Sequence, residues 1–239
     1  MTVQPLFYKN IVPLNKKQHG DFYIEPARNY KYTKETNSIY IAAIEFPRIS
    51  REYPIVFGKT GEGTIFPVVL LGLKNNQNIY LGKKGEWLAE YIPAYVRRYP
   101  FILATSKENG DGYTVCIDEN YSGLNKSKKG QRLFDEKGEE SELLKKSIEF
   151  MKEYQNQIQL TDYFCRNINK LELLEPMQAR IEKSGKKQAM GGFLCINRNK
   201  LKSLTENQLA ELVKSDQMEL IYAHLNSLIN IDRLIKNFD

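Results

Sequence analysis

Two histidines and three cysteines, with a few carboxylates placed near them, are the stock from which this chain would build acid–base or nucleophilic chemistry. His224 is the imidazole placed most like a general base, because His19 lies in a polar N-terminal stretch beside Gly20. A base needs an orienting acid or a nucleophile within hydrogen-bond reach. Asp118, Glu119, Cys165 and Cys195 are the groups available, and their spacing does not bring any of them to His224. The simpler expectation is a packed, hydrogen-bonded histidine at the border of the last helix's apolar stripe. The alternative is an enzyme acting on a peptide, with His224 and Asp118 or Glu119 as its acid/base pair. Two histidines cannot make a three-histidine zinc site, and a two-histidine-one-carboxylate iron site would consume both. No metal and no cofactor are assigned.

Gly58-Lys59-Thr60 invites comparison with a phosphate-binding loop. Such a loop requires a glycine five residues before the Gly of Gly-Lys-Thr and a helix after it. Tyr53 stands at that position and the strand-like Thr64-Ile65-Phe66 follows, so the segment reads as a glycine-rich hairpin or loop. The densest unusual stretch is residues 87–101, WLAEYIPAYVRRYPF. It holds the sole tryptophan, three tyrosines, two adjacent arginines and two prolines. Aromatic rings beside arginine suit a pocket for a peptide or an anion, and they equally suit the packing of a short helix on a sheet. Trp87, Tyr91, Tyr95, Arg97, Arg98 and Tyr99 are the ligand-binding candidates. Pro93 should open a short helical turn and Pro100 should end it, with one arginine turned outward and the other inward against Asp118 or Glu119.

The elements that must carry these residues change character along the chain. Residues 38–46, 54–57, 66–73, 101–104 and 113–117 read as strands from their β-branched and aromatic content. Turn chemistry at residues 74–78 predicts a hairpin with Ile79-Tyr80-Leu81, and Gly110-Asp111-Gly112 predicts another turn. From about Gly138, apolar residues recur at helical spacing through Leu144, Ile148, Met151, Tyr154 and Ile158, with a second helix opening at Thr161 or Asp162. Residues 191–196 read as a strand, and Thr205 with Gln208 as a capping box. After Ser215-Asp216 a last helix runs to about Asn237. No linker rich in Pro, Gly or Ser separates the two halves. The expectation is an α+β fold in one domain, residues 1–239, strand-rich over 1–137 and mainly helical over 138–239.

The chain has 239 residues, 41% hydrophobic and 27% charged, which excludes disordered and fibrous classes. Net charge is +6. The basic clusters are residues 180–202, with Lys183, Lys186 and Lys187, and Lys126, Lys128, Lys129 and Arg132. No aromatic-interleaved recognition motif accompanies them, so they read as solvated loops rather than as a specific nucleic-acid site. No apolar run approaches the ~20 residues of a membrane-spanning helix. Residues 1–10 lack a secretory pattern, and three widely spaced cysteines suit reduced thiols, which together predict a cytoplasmic location.

The block YIPAYVRRYPF at residues 91–101 resembles the signature of the bacterial SapC family, the surface-layer-associated proteins. The flanking motifs agree in order. Upstream stand Phe46-Pro47, Tyr53-Pro54-Ile55-Val56-Phe57 and PVVLLG at residues 67–72; downstream stand Cys116-Ile117-Asp118-Glu119, LFDEKG at 133–138 and IYAHLNSL at 221–228. The resemblance implies association with the surface layer. The gene neighbourhood of other members, beside iron-dependent hydroxylases and flavin-dependent halogenases, implies a role around peptide or protein modification. It carries over no catalytic residues. The expected function is an accessory or binding protein connected with export, assembly or modification of a bacterial surface protein or peptide.

Overall fold

The aliphatic runs at 55–59 and 65–70 form a hairpin, pairing Ile55 with Val69, Val56 with Val68 and Phe57 with Pro67. A computed structural model describes residues 5–27, 29–105, 112–177, 179–183 and 186–237, with backbone alone for 105, 179–183 and 186–190. The fold is α+β, with a strand-rich N-terminal part and a helical C-terminal region. By contacts the chain falls into two compact units. The first comprises Met1–Thr33, Lys83–Glu86 and Ala94–Asn156; the second comprises Lys34–Gly82, Trp87–Pro93 and Gln157–Asp239.

In the first unit the strand Tyr113–Asp118 lies between Ile11–Pro13 and Phe101–Thr105, both antiparallel to it. The short strand Tyr23–Ile24 pairs with Leu124–Asn125 on one side and Gln131–Arg132 on the other. Ile24, Tyr99, Phe101, Ile117, Leu133 and Leu144 lie in one buried cluster. Leu144 and Met151 recur at helical spacing, so burying one stripe of their helix closes this core.

The second unit holds a five-stranded sheet ordered Leu174–Pro176, Leu194–Ile196, Ile55–Lys59, Ile65–Leu70, Ser38–Tyr40. Gly58-Lys59-Thr60 runs into a hairpin turn closed by Thr60 N–H on Thr64 C=O at 2.9 Å, with Gly63 at φ 91°. It is followed by a strand, as its sequence predicts. The strand expected over 38–46 stops at Tyr40. Glu45 turns its carboxylate onto the Ala42 N–H at 2.9 Å, and a 3-10 turn at Ala43–Glu45 leads into the helix Phe46–Ile49. Pro47, in the first turn of that helix, has no N–H to leave unpaired.

Other expectations are corrected in the same way. Glu142–Lys170 is one helix of 29 residues, not two. Thr161, expected to open the second, bonds back to Gln157 C=O at 2.6 Å and accepts Ala43 N–H at 2.8 Å, so its hydroxyl is satisfied within the helix. Ile79–Leu81 forms no strand: Ile79 N–H donates to Leu71 C=O at 2.9 Å, and the bridge in this segment is Leu81 to Trp87. The basic segment expected as a loop is an antiparallel hairpin, Ala179–Lys183 with Lys186–Met190; the exposure of Lys183, Lys186 and Lys187 lies outside the described residues. So does most of the turn expected at 110–112. The capping box of Thr205 and Gln208 is present. The last helix is divided into Gln217–Ser227, a 3-10 turn at Leu228–Asn230, and Ile231–Lys236. At that division the Asn230 amide donates to Ser50 C=O at 2.8 Å and Tyr53 C=O at 3.2 Å.

Candidate functional site

The candidates of the 87–101 stretch belong to both units, Trp87 and Tyr91 to the second and Tyr95, Arg97, Arg98 and Tyr99 to the first. In the second unit Trp87 Nε1–H donates to the Tyr53 hydroxyl at 2.6 Å, and Tyr53 O–H donates to Tyr91 C=O at 2.5 Å. The Glu52 carboxylate accepts the N–H groups of Glu90 and Tyr91 at 2.9 and 3.0 Å. Tyr91 O–H donates to the buried Glu45 carboxylate at 3.0 Å. These bonds strap residues 87–91 to the second unit's scaffold.

His224 belongs to the second unit and is fully buried. Its Nδ1 lies 2.9 Å from Ile55 C=O, and its Nε2 accepts the Ile196 N–H at 3.0 Å. The acceptor role of Nε2 places the proton of the neutral ring on Nδ1, which then donates to Ile55. Burial pushes its pKa down to about 4. Cys165 is also buried, and burial raises its thiol to about 12; Cys195 is partly buried and likewise raised.

In the first unit the helix Ala94–Arg97 follows Pro93, as expected, and places its neighbours in different surroundings. Arg97 is exposed, with its guanidinium 5.0 Å from the Phe150 ring centre. Arg98 is half-buried among three tyrosines, its guanidinium 4.0 Å from the Tyr95 ring, 5.5 Å from Tyr154 and 5.9 Å from Tyr8. The acids expected to meet the inward arginine are engaged elsewhere. Asp118 is fully buried and accepts Lys9 N–H (2.9 Å), Asn10 N–H (3.0 Å), Asn120 N–H (3.0 Å) and Tyr99 O–H (3.2 Å). Glu119 accepts the Gln18 and Asn10 amides at 2.6 and 3.1 Å and lies 3.4 Å from Nε2 of His19, which is fully buried rather than at a polar surface.

The different settings of the two arginines give a direct expectation. Arg98→Ala should destabilise the protein by about 1–3 kcal/mol, through lost cation–π contact and lost packing of the guanidinium between rings. Arg97→Ala should stay within ~0.5 kcal/mol, as surface substitutions usually do. Thermal melts of the two single variants check this; equal melting temperatures would remove the distinction.

Arg97 and Tyr99 line a cleft of about 310 Å³ that lies wholly within the first unit. Tyr30, Tyr32, Tyr121 and Glu25 line it with them. Its rings form a continuous run: Tyr30 to Tyr32 at 6.1 Å, Tyr32 to Tyr99 at 4.4 Å, Tyr99 to Tyr121 at 5.5 Å between centres. Three hydroxyls donate away from solvent, Tyr32 to Val96 C=O (3.0 Å), Tyr99 to Asp118, and Tyr121 to Glu25 C=O (2.8 Å). Burial raises all three phenols, Tyr121 to about 12, so they remain neutral. Tyr30 is fixed through its backbone, its N–H on Gly85 C=O at 2.6 Å. Gly85 sits at φ 95°, and a Cβ there would come within 2.8 Å of Asn29 and Lys31 side-chain carbons. Only glycine lets residues 83–86 lie this close to the Tyr30 segment. Tyr95 and Arg98 are not among the lining residues.

The structure therefore joins two sequence candidates, Arg97 and Tyr99, to three tyrosines that the sequence reading missed. Tyr30 and Tyr32 flank Lys31 in a chain with 15 tyrosines, a spacing that does not by itself mark a site, and Tyr121 has no sequence signal beside them. Among the described residues no three His, Cys, Asp or Glu side chains gather as a metal site requires, and no helix is long and apolar enough to cross a membrane.

The SapC family pattern matches residues 14–234, a span that takes in the cleft and the whole 87–101 stretch. The chain belongs to the SapC family. No curated protein and no solved structure matches it. Within this SapC chain the 91–101 block serves two local purposes. Its first residues are strapped by Glu52 and Tyr53, and its last carry Arg97 and Tyr99 to the cleft wall.

Proposed function

We propose that this SapC protein is a cytoplasmic binding protein that takes an extended peptide segment of a surface protein into the tyrosine cleft, in support of that protein's export, assembly or modification. The observation that carries the reading is the run of four tyrosine rings beside Arg97 in a cleft of about 310 Å³. That volume lies at the small end for ligand sites and suits a few residues of a chain rather than a folded domain. Rigid tyrosines give contact area at low entropic cost, and a neighbouring arginine supplies hydrogen-bond donors to peptide carbonyls. The groups with acid–base or nucleophilic potential support binding over chemistry. His224 has both ring nitrogens on backbone groups, and Asp118 is occupied by four donors.

The test is fluorescence anisotropy of the full chain against overlapping synthetic peptides from the host's surface proteins. A subset should bind, and Tyr30→Ala should weaken that binding about tenfold, a loss of about 1.4 kcal/mol. Binding that is indifferent to Tyr30→Ala in a folded variant would place the peptide elsewhere and overturn the reading.

A further inference from the structure

We propose that the peptide held by this cleft continues along the strand Phe101–Thr105 and pairs with its open edge, at Leu103, as an added β-strand. The inference rests on the reading of the cleft as a peptide site and names how the segment is held beyond the tyrosines. In the three-stranded sheet of the first unit Tyr113–Asp118 is central and Phe101–Thr105 is an edge. Asp118 N–H donates to Pro100 C=O at 3.0 Å, which fixes the alternation. Ile102, opposite Cys116, and Ala104, opposite Thr114, therefore bond to the central strand. Phe101, Leu103 and Thr105 turn their backbone groups the other way. At Phe101 both groups are used: its N–H donates to Arg98 C=O at 2.8 Å, and its C=O accepts the Tyr8 hydroxyl at 2.6 Å. The N–H and C=O of Leu103 have no partner among the described residues.

Other sheet edges in the chain are guarded. On the opposite edge of the same sheet Pro13 faces outward and has no N–H to offer. In the second unit the edge strand Leu174–Pro176 ends in a proline, and Lys200 Nζ covers Leu174 C=O at 3.0 Å. The strand Phe101–Thr105, FILAT, carries neither charge nor proline, and Ala104 on it is exposed. A neutral edge that presents a donor and an acceptor from one residue is a template for extended backbone. The cleft brings such a backbone to it. Pro100 and Phe101 line the cleft, and Leu103 lies two residues, about 7 Å, further along the same strand. A peptide of a few residues therefore spans both. Pairing through backbone groups is indifferent to side chains, so the edge adds affinity and the tyrosines keep the choice of sequence.

The experiment follows amide hydrogen exchange of the wild-type full chain by NMR, with and without the tightest-binding peptide of the surface-protein set. In the free protein the Leu103 amide should exchange at least about tenfold faster than those of Ile102 and Ala104. Saturating peptide should slow Leu103 by about tenfold or more. Single N-methylation along the same peptide, read by fluorescence anisotropy, should weaken binding about tenfold at alternate residues beyond the tyrosines. Leu103→Pro, which removes the outward N–H, should weaken it as much, while Leu103→Ala, which keeps that N–H, should stay within about threefold. The exchange and N-methylation measurements decide the matter even where Leu103→Pro fails to fold. Peptide binding that Tyr30→Ala weakens, with Leu103 exchange unchanged, would overturn the strand addition and leave the cleft reading standing. Failure of every surface-protein peptide to bind at millimolar concentration would overturn both. A dimer in sedimentation that Leu103→Pro dissociates would also overturn the proposal, because a second copy would then occupy the edge.

Discussion

Replacing Asp118 by Ala is expected to lower the unfolding free energy by about 3–5 kcal/mol, the range for stranding the partners of a buried charged group. The carboxylate is fully buried at the end of the strand Tyr113–Asp118 and holds four donors. Two are the backbone N–H groups of Lys9 and Asn10, which fasten the segment before the strand Ile11–Pro13. A third is Asn120 N–H in the turn that follows, and the fourth is the Tyr99 hydroxyl. Ala removes every acceptor at once. Asp118→Asn keeps one oxygen but turns an amide N–H toward a donor, so it should cost less than Ala yet remain clearly destabilising. Tyr99→Phe, which deletes only the fourth bond, should cost about 1 kcal/mol. Urea unfolding of the three variants measures this, and an Asp118→Ala protein within 1 kcal/mol of wild type would sink it.

The same residue links the fold to the cleft. Tyr99 lines the cleft, and the hydroxyl that orients it is held by Asp118. Tyr8, on the fastened N-terminal segment, packs edge-on against Tyr99 at 5.2 Å and donates to Phe101 C=O at 2.6 Å. Phe7 meets Tyr32 at 5.3 Å. Releasing residues 7–10 removes the packing behind two of the four cleft tyrosines. Asp118 is thus a positioning residue for the proposed site.

What the sequence made legible follows from how local each signal is. The hairpin at 55–70, the short helix between Pro93 and Pro100, and the Thr205 capping box depend on residues close in sequence, and all were readable. The failures are long-range. The Thr161 hydroxyl reads as a helix start until Ala43, 118 residues away, is seen to use it. Residues 41–46 look like a continuing strand until the Glu45 side chain turns the chain. The cleft shows the same limit. Arg97 and Tyr99 stand out because they sit in a dense motif. Tyr30, Tyr32 and Tyr121 become partners only through tertiary packing, which no spacing in the sequence records. Asp118, with Glu119, stands out in the sequence as a partner for an inward arginine, and the structure instead buries it among four other donors. Its partners are backbone N–H groups, which composition cannot reveal, rather than the expected arginine.

The last expectation concerns acid. Stability should fall between about pH 6.5 and pH 4 through His224, by ~3 kcal/mol, from a pKa lowered from 6.5 to about 4 in a fully buried group. The sign follows from proton counting. Between those two values the unfolded chain binds a proton on His224 and the folded chain does not, so raising pH favours folding and lowering it favours unfolding. Above pH 6.5 the ring is neutral in both states and its contribution is flat; below pH 4 it is protonated in both and the loss is complete. The cause is the ring's place in the sheet. Strand Leu194–Ile196 pairs with Ile55–Lys59 only at Leu194 and Phe57, so Ile55 and Ile196 need other partners. The helix Gln217–Ser227 supplies them: His224 takes Ile55 C=O and Ile196 N–H, and Ser227 Oγ accepts Ile55 N–H at 2.9 Å. A charged ring cannot accept from Ile196, so protonation opposes a buried backbone donor as well as desolvating a cation. His224→Gln, whose amide offers one donor and one acceptor, should be less stable than wild type at pH 7 and lose the pH-dependent component. Urea midpoints of both proteins across pH 4 to 7 separate it from the carboxylates they share. The gap between wild type and variant should narrow as pH falls, and a gap constant across that range would show that His224 does not titrate as a buried neutral ring.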